Sequence, residues 1–206
     1  MQNYSIRLRN FEEKDVDFVY KCKNDPILNN LIVGNYRHFT REDAEKWVKG
    51  CIVPNTSYKF WVICTNDVEQ KIVGWVSLSD INIENNSVCH HGIVIGDNDY
   101  RDGVAMFEAM LLSMDYAFNT LKTHRLYGSC ISEHKISPYM LSALGFILEG
   151  QRRDAIYKNN RYYDILDYGL LSNEYLTFND SGRYKIDNLI CSFIKNVKNK
   201  SKNGTK

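Results

Sequence analysis

Nine residues, Asp97 to Ala105 (DNDYRDGVA), stand between a strand-like run that ends Gly92-Ile93-Val94-Ile95-Gly96 and a long segment with a helical apolar stripe. A chain that passes from strand to helix here leaves the first N–H groups of the helix unpaired and puts the positive end of its dipole at the same point, a place where a phosphate can sit. Gly103 gives the turn its close backbone approach, and Ala105 keeps the helix start slim. Two histidines, His90 and His91, lie in the strand before the turn. Neighbours on a strand point to opposite faces, so the two cannot share a metal ion and only one can face a cleft. The six cysteines are scattered, with no C-x-x-C pair and no histidine at ligand spacing. No metal site is expected, and the thiols read as buried and free in a reducing cytoplasm.

The elements that must position these groups follow from periodicity. Tyr4 to Arg9 alternates as a strand, and Val16, Val19 and Tyr20 recur on a helix that ends before Asp25-Pro26. Leu28 to Phe39 reads as loop or broken helix, and its Tyr36 is a candidate substrate contact. Thr40 caps a second helix running to about Gly50. Tyr58–Cys64 and Lys71–Ile83 form a hairpin about Thr65-Asn66-Asp67, and Ser87–Ile95 is a further strand. A helix over Gly103–Leu121 and a strand over Leu126–Ile131 follow, and then a short helix, Ile136–Leu144, stopped by Gly145. Phe146–Tyr157 and Tyr162–Leu171 close the order as a hairpin. The three tryptophans, Trp47, Trp61 and Trp75, are expected to pack the core.

Composition narrows the class. The chain of 206 residues, 44% hydrophobic and 25% charged, suits one soluble domain, 1–178, followed by a basic tail, 179–206. No apolar run is long enough to span a bilayer, and MQNYSIRLRN lacks the apolar core of a secretion signal, so a cytoplasmic protein with no membrane partner is expected. From Ser181 onward seven lysines and arginines stand against Asp187 alone, which leaves the first 180 residues with a net charge of −5. The acidic body favours a cationic partner electrostatically, and nucleic acid is not an expected one. Ile186, Leu189, Ile190, Phe193, Ile194 and Val197 predict one helix in the tail, packed back on the body or buried in a homodimer.

Three pieces together resemble the GNAT superfamily of acetyl-CoA-dependent N-acetyltransferases, in particular the branch of ribosomal-protein N-terminal and bacterial diamine acetyltransferases. The first is the strand Gly92–Gly96 leading into Tyr100-Arg101-Asp102-Gly103-Val104-Ala105, similar to the family's pyrophosphate loop. The second is Ser137 through Leu144-Gly145-Phe146. The third is the closing hairpin with Leu148-Glu149-Gly150, Arg153, Asp164 and Tyr168. A dinucleotide-binding Rossmann unit competes and fails, because the G-x-G-x-x-G triplet and a repeated βαβ unit are both missing.

The resemblance implies an α+β GNAT fold: a mixed, mostly antiparallel seven-stranded sheet, splayed in the middle and flanked by helices. It implies acetyl-CoA as co-substrate, its pyrophosphate held by N–H groups from Arg101 to Ala105 and its pantetheine paired with Ile93, Val94 and Ile95. His134 takes the place of the family's asparagine beside the pantetheine. Transfer to an amine requires a base, because an alkylammonium with a pKa near 10 is almost fully charged at neutral pH. His90, two before the strand glycine, is the expected base or water relay. The leaving thiolate needs a proton, and the family's tyrosine for that step is replaced by Leu141. Ser137 and Tyr139 are the substitutes, although Ser137 is equally a helix cap. Glu149, with Asp80, Arg153 and Asp164, is expected near the acceptor. The acceptor is a small-molecule amine or, alternatively, a peptide N-terminus. A third reading is a module that binds acyl-CoA without catalysis.

Overall fold

The computed structural model describes residues 3–32 and 37–203. Seven strands form one sheet in the order β1-β2-β3-β4-β5-β7-β6, with β1 Ile6–Arg9, β2 Lys59–Thr65, β3 Ile72–Asn82, β4 Ser87–Ile95, β5 Arg125–Ile131, β6 Ile147–Lys158 and β7 Arg161–Leu171. Every neighbouring pair is antiparallel except β4 and β5. That parallel pair is short: it runs from Ser87 opposite Arg125 to Cys89 opposite Tyr127 and then stops. Past that point β4 stays on β3 and β5 stays on β7, so the sheet opens as a V between them.

Both faces of the sheet are covered. On one, α1 (Val16–Lys23) and α3 (Arg41–Ile52) bury Phe11, Val19, Ala44 and Val48 against Val62, Cys64 and Trp75. On the other, α4 (Val104–Asp115), α5 (Ser137–Ala143) and α7 (Ile186–Asn203) lie over Ile63, Val76, Leu78, Val88 and Leu126. Trp61 and Trp75 are buried in these two layers, and Trp47 meets Phe11, Phe60 and Trp75 edge-on or tilted. Helix α4 is tied to β1 by a buried carboxylate. Glu108 accepts hydrogen bonds from the backbone N–H groups of Ser5 and Ile6 (3.0 and 3.1 Å) and from the Ser5 hydroxyl (2.7 Å).

The structure departs from the sequence reading in four places. Asp25-Pro26, read as a stop, also starts a helix, α2 (Pro26–Leu31). The Asp25 side chain accepts from the N–H groups of Ile27 and Leu28, and proline suits the first helical position because its missing N–H would be unpaired there anyway. A polar helix, α6 (Ser172–Asp180), follows β7 where none is expected; Glu174 accepts from Leu171 N–H at 2.8 Å to start it. The expected Gly103–Leu121 helix ends as α-helix at Asp115 and continues as one π turn over Tyr116–Thr120. Finally, Cys191, expected inside, is exposed, although α7 packs back in one of the two expected ways, with Tyr184 just before it and Leu189 buried in the main core.

Candidate active site

The loop after β4 has the form of an anion cradle. Gly103 takes φ 96°, a left-handed conformation that a side chain resists, and a Cβ there would meet nothing within 4 Å, so the space above it is open. The first helical bond of α4 runs from Phe107 N–H to the Gly103 carbonyl. Ala105 and Met106 N–H therefore point out of the helix start with no partner among the described residues. Two of the expected donors are already engaged: Arg101 N–H bonds the Asn98 carbonyl, and Val104 N–H bonds the Asp102 carboxylate at 2.9 Å. The Arg101 side chain folds back, donating to the carbonyls of Ile95 (3.0 Å) and Gly96 (3.2 Å), and so fixes the loop to the end of its strand. Tyr100 is half-buried, with the Lys71 ammonium 5.5 Å from its ring.

The V between β4 and β5 begins beside this cradle. Along the edge of β4 that faces β5, main-chain groups beyond Cys89 have no strand partner among the described residues, as a pantetheine-like chain would require. Register on the other edge passes from Leu78 opposite His90 to Ser77 opposite Gly92, so His91 is an inserted bulge residue. The bulge reverses the alternation. Val88 and His90 share the α4 face with Ile93 and Ile95, which simple alternation would place opposite. His90 is consequently buried beneath α4, its Nε2 3.2 Å from the Ser113 hydroxyl. Ser113 donates its own proton to the Met110 carbonyl, so it accepts from His90. In the tautomer that satisfies this pair, Nε2 carries the hydrogen.

Helix α5 closes the far side of the V. His134 Nδ1 accepts from the N–H groups of Ile136 (3.2 Å) and Ser137 (3.0 Å), satisfying the helix start and leaving Nε2–H as a donor. Burial pushes His134 below the ordinary histidine value of 6.5. The unfolded chain then takes up this proton first, so the stability that neutral His134 contributes is present above about pH 6.5 and is lost as pH falls toward the lower folded value. His134→Asn keeps a capping oxygen and removes the titration. Its melting temperature should fall less between pH 7 and pH 5 than that of the parent; parallel curves would contradict this account.

Ser137 is half-buried, and its hydroxyl has no hydrogen-bond partner among the described residues. Tyr139 lies near Tyr168, whose phenol is pushed up to about 12 by burial first and then by Cys130 and Tyr139. Leu141 is buried in the core and offers no proton. The helix ends in a glycine turn, with Gly145 at φ 93° and Phe146 N–H bonded to the Leu141 carbonyl.

Sequence reasoning missed the part that spans the open end of the V. The α2 cap Asp25 forms an ion pair with Arg101 of the cradle loop (3.7 Å). At the other end of α2, the buried Lys158 at the tip of the β6–β7 hairpin donates to the carbonyls of Asn29 (2.7 Å) and Ile32 (2.6 Å). A six-residue helix is about 9 Å long, so α2 bridges the two rims. A lysine beside a hairpin turn gives only a weak signal of this. Glu149 is placed differently from its expected position: it pairs with Arg125 at the start of β5, the closed end of the V. Its charge is spent there, and burial does not bring it to the cradle. Tyr36 lies outside the described residues.

A parallel pair that opens beside an N–H cradle, with a second helix start at His134, is the arrangement that the resemblance implies for an acyl-CoA-dependent transferase. The model of the acetyltransferase (GNAT) domain matches residues 5–147, and the chain belongs to that family. It is therefore an acetyl-CoA-dependent N-acetyltransferase of GNAT fold. It is 28% identical over 170 residues to the uncharacterized N-acetyltransferase YnaD of Bacillus subtilis, covering 82% of this chain and 95% of that one. It is 24% identical over 179 residues to the spermidine N(1)-acetyltransferase of Escherichia coli, covering 84% and 89%. A solved structure of the Vibrio cholerae spermidine N-acetyltransferase with CoA and spermine shares the fold, with a TM-score of 0.75 at 22% identity over 84% of this chain and 99% of that one. Among the described residues no helix is long and apolar enough to cross a membrane, and no group of three or more His, Cys, Asp or Glu could hold a metal.

Proposed function

We propose that the acceptor is the primary amine of a small molecule, acetylated by direct transfer in a ternary complex. The observation that carries this reading is α2. Held by Arg101 at one rim and by Lys158 at the other, it lies across the open end of the V, and such a cover favours a compact acceptor over a protein surface. The relatives named for spermidine support the same class. Leu28 to Phe39 contains no aspartate or glutamate, so an acceptor with a single ammonium fits this loop better than a polycation.

Acetyl-CoA supplies an activated thioester and a thiolate leaving group. Ala105 and Met106 N–H hold its pyrophosphate, and the open edge of β4 at Ile93 to Ile95 pairs with its pantetheine while His134 Nε2–H donates to the same arm. Ser137, whose hydroxyl is unengaged at the start of α5, delivers the proton to the departing sulfur, with Tyr139 behind it. His90 acts as a positioning residue: bonded to Ser113, it fixes the bulge and thereby the phase of Ile93 and Ile95. The amine reaches the site as the minor neutral form or loses its proton to water in the V.

Thiol release should be followed across amino sugars, amino acids, polyamines, aminoglycosides and short peptides. Small amines should turn over and peptides should not; turnover of peptides alone would replace this reading by N-terminal acetylation. Lys158→Met releases one end of α2. It is expected to raise KM for the acceptor by about tenfold, equivalent to 1.4 kcal/mol, with CoA affinity unchanged. An unchanged KM would show that α2 does not border the acceptor.

A further inference from the structure

The basic tail has no part in the reaction as described, yet its helix is aimed at the cofactor site. Helix α7 begins beside the far end of α4, where Tyr184 lies 5.4 Å from Tyr175, which in turn stacks on Phe118 at 4.4 Å. Nine residues later Phe193 meets Phe107, in the first turn of α4, at 5.9 Å. The two helices are therefore antiparallel. At 1.5 Å per residue, Lys195 to Lys202 continue from roughly 3 to 14 Å beyond Phe193, while Val104 stands only about 4.5 Å beyond Phe107. The last turns of α7 therefore run on past the start of α4. They carry Lys195 and Lys198, which are exposed and form no ion pair among the described residues, and the sequence has no acid after Asp187.

We propose that these turns of α7 form an electrostatic clamp for the 3′-phosphate on the adenosine end of CoA. The argument rests on the acetyl-CoA reading of the site and adds a ligand for a phosphate that the cradle does not reach. With the pyrophosphate at the N–H groups that start α4, the 3′-phosphate would stand farther along the cofactor, within reach of a helix that runs on past that start. The match to the Vibrio cholerae enzyme covers nearly all of that chain and 84% of this one, so this chain carries residues that the relative lacks.

The test is calorimetric binding to the intact protein without acceptor, using CoA and 3′-dephospho-CoA. The parent should prefer CoA by about tenfold, the worth of a few exposed ion pairs. A variant with Lys195 and Lys198 both changed to Gln should lose that preference and keep its affinity for dephospho-CoA, and its loss should shrink at high salt. A preference retained by the variant, an equal loss for both ligands, or no preference in the parent would overturn the clamp. Failure of the parent to bind either ligand would instead remove the acetyl-CoA reading on which the clamp rests.

Discussion

Gly103→Val should abolish measurable CoA binding, with at least a hundredfold loss of affinity, in a protein that still folds. Two costs combine. A β-branched residue at φ 96° is strained by roughly 1–3 kcal/mol, and the turn relieves that strain by leaving the left-handed conformation that aims the next N–H groups outward. If it does not relax, the new Cβ stands in the open space above the turn, where the pyrophosphate must come close. Since no protein atom lies within 4 Å of that Cβ, packing is spared and the melting temperature should drop by only a few degrees. Calorimetric titration with CoA, beside a thermal melt, separates the two effects. Full affinity in the variant would place the pyrophosphate elsewhere.

The largest effect on stability is expected at Glu108. Its carboxylate is nearly inaccessible and accepts from Ser5 N–H, Ser5 hydroxyl and Ile6 N–H, holding the edge strand β1 on α4. Glu108→Leu preserves most of the volume but strands the Ile6 N–H, which is buried. Loss of charged hydrogen bonds together with an unsatisfied donor costs about 3 kcal/mol, or roughly 6–12 °C in a chain of this size. Glu108→Gln keeps one acceptor oxygen and should recover part of the loss. Denaturation of the three proteins checks the order; a leucine variant as stable as the parent would mean that the carboxylate only breaks even with an apolar side chain.

Much of the fold is legible because its signals are local. The strand from Ser87 to Ile95 has the observed ends, and the turn chemistry at Gly145 fixes the end of the helix before it. The cradle is legible for the same reason, since it needs only a strand, a glycine and a helix start. His90 is the instructive case. Its facing depends on one inserted residue, and a bulge is set by pairing with β3, which no window of β4 alone contains. Helix α2 and its bridge are hidden for a related reason: Lys158 and Asn29 are more than a hundred residues apart, and nothing in either segment names the other. Helix α6 carries few apolar residues to reveal a period.

The short bridge over the V has a thermodynamic consequence. Because α2 is fastened to the cofactor loop at Arg101 and to the hairpin at Lys158, neither substrate meets a wall that is independent of the other. Whatever factor CoA contributes to the affinity for the amine, the amine must return to CoA in full, because coupling between two sites on one body is reciprocal. On the proposed placement of the acceptor beneath α2, the affinity for CoA measured with the amine bound would report that coupling, whereas the affinity measured without the amine would not.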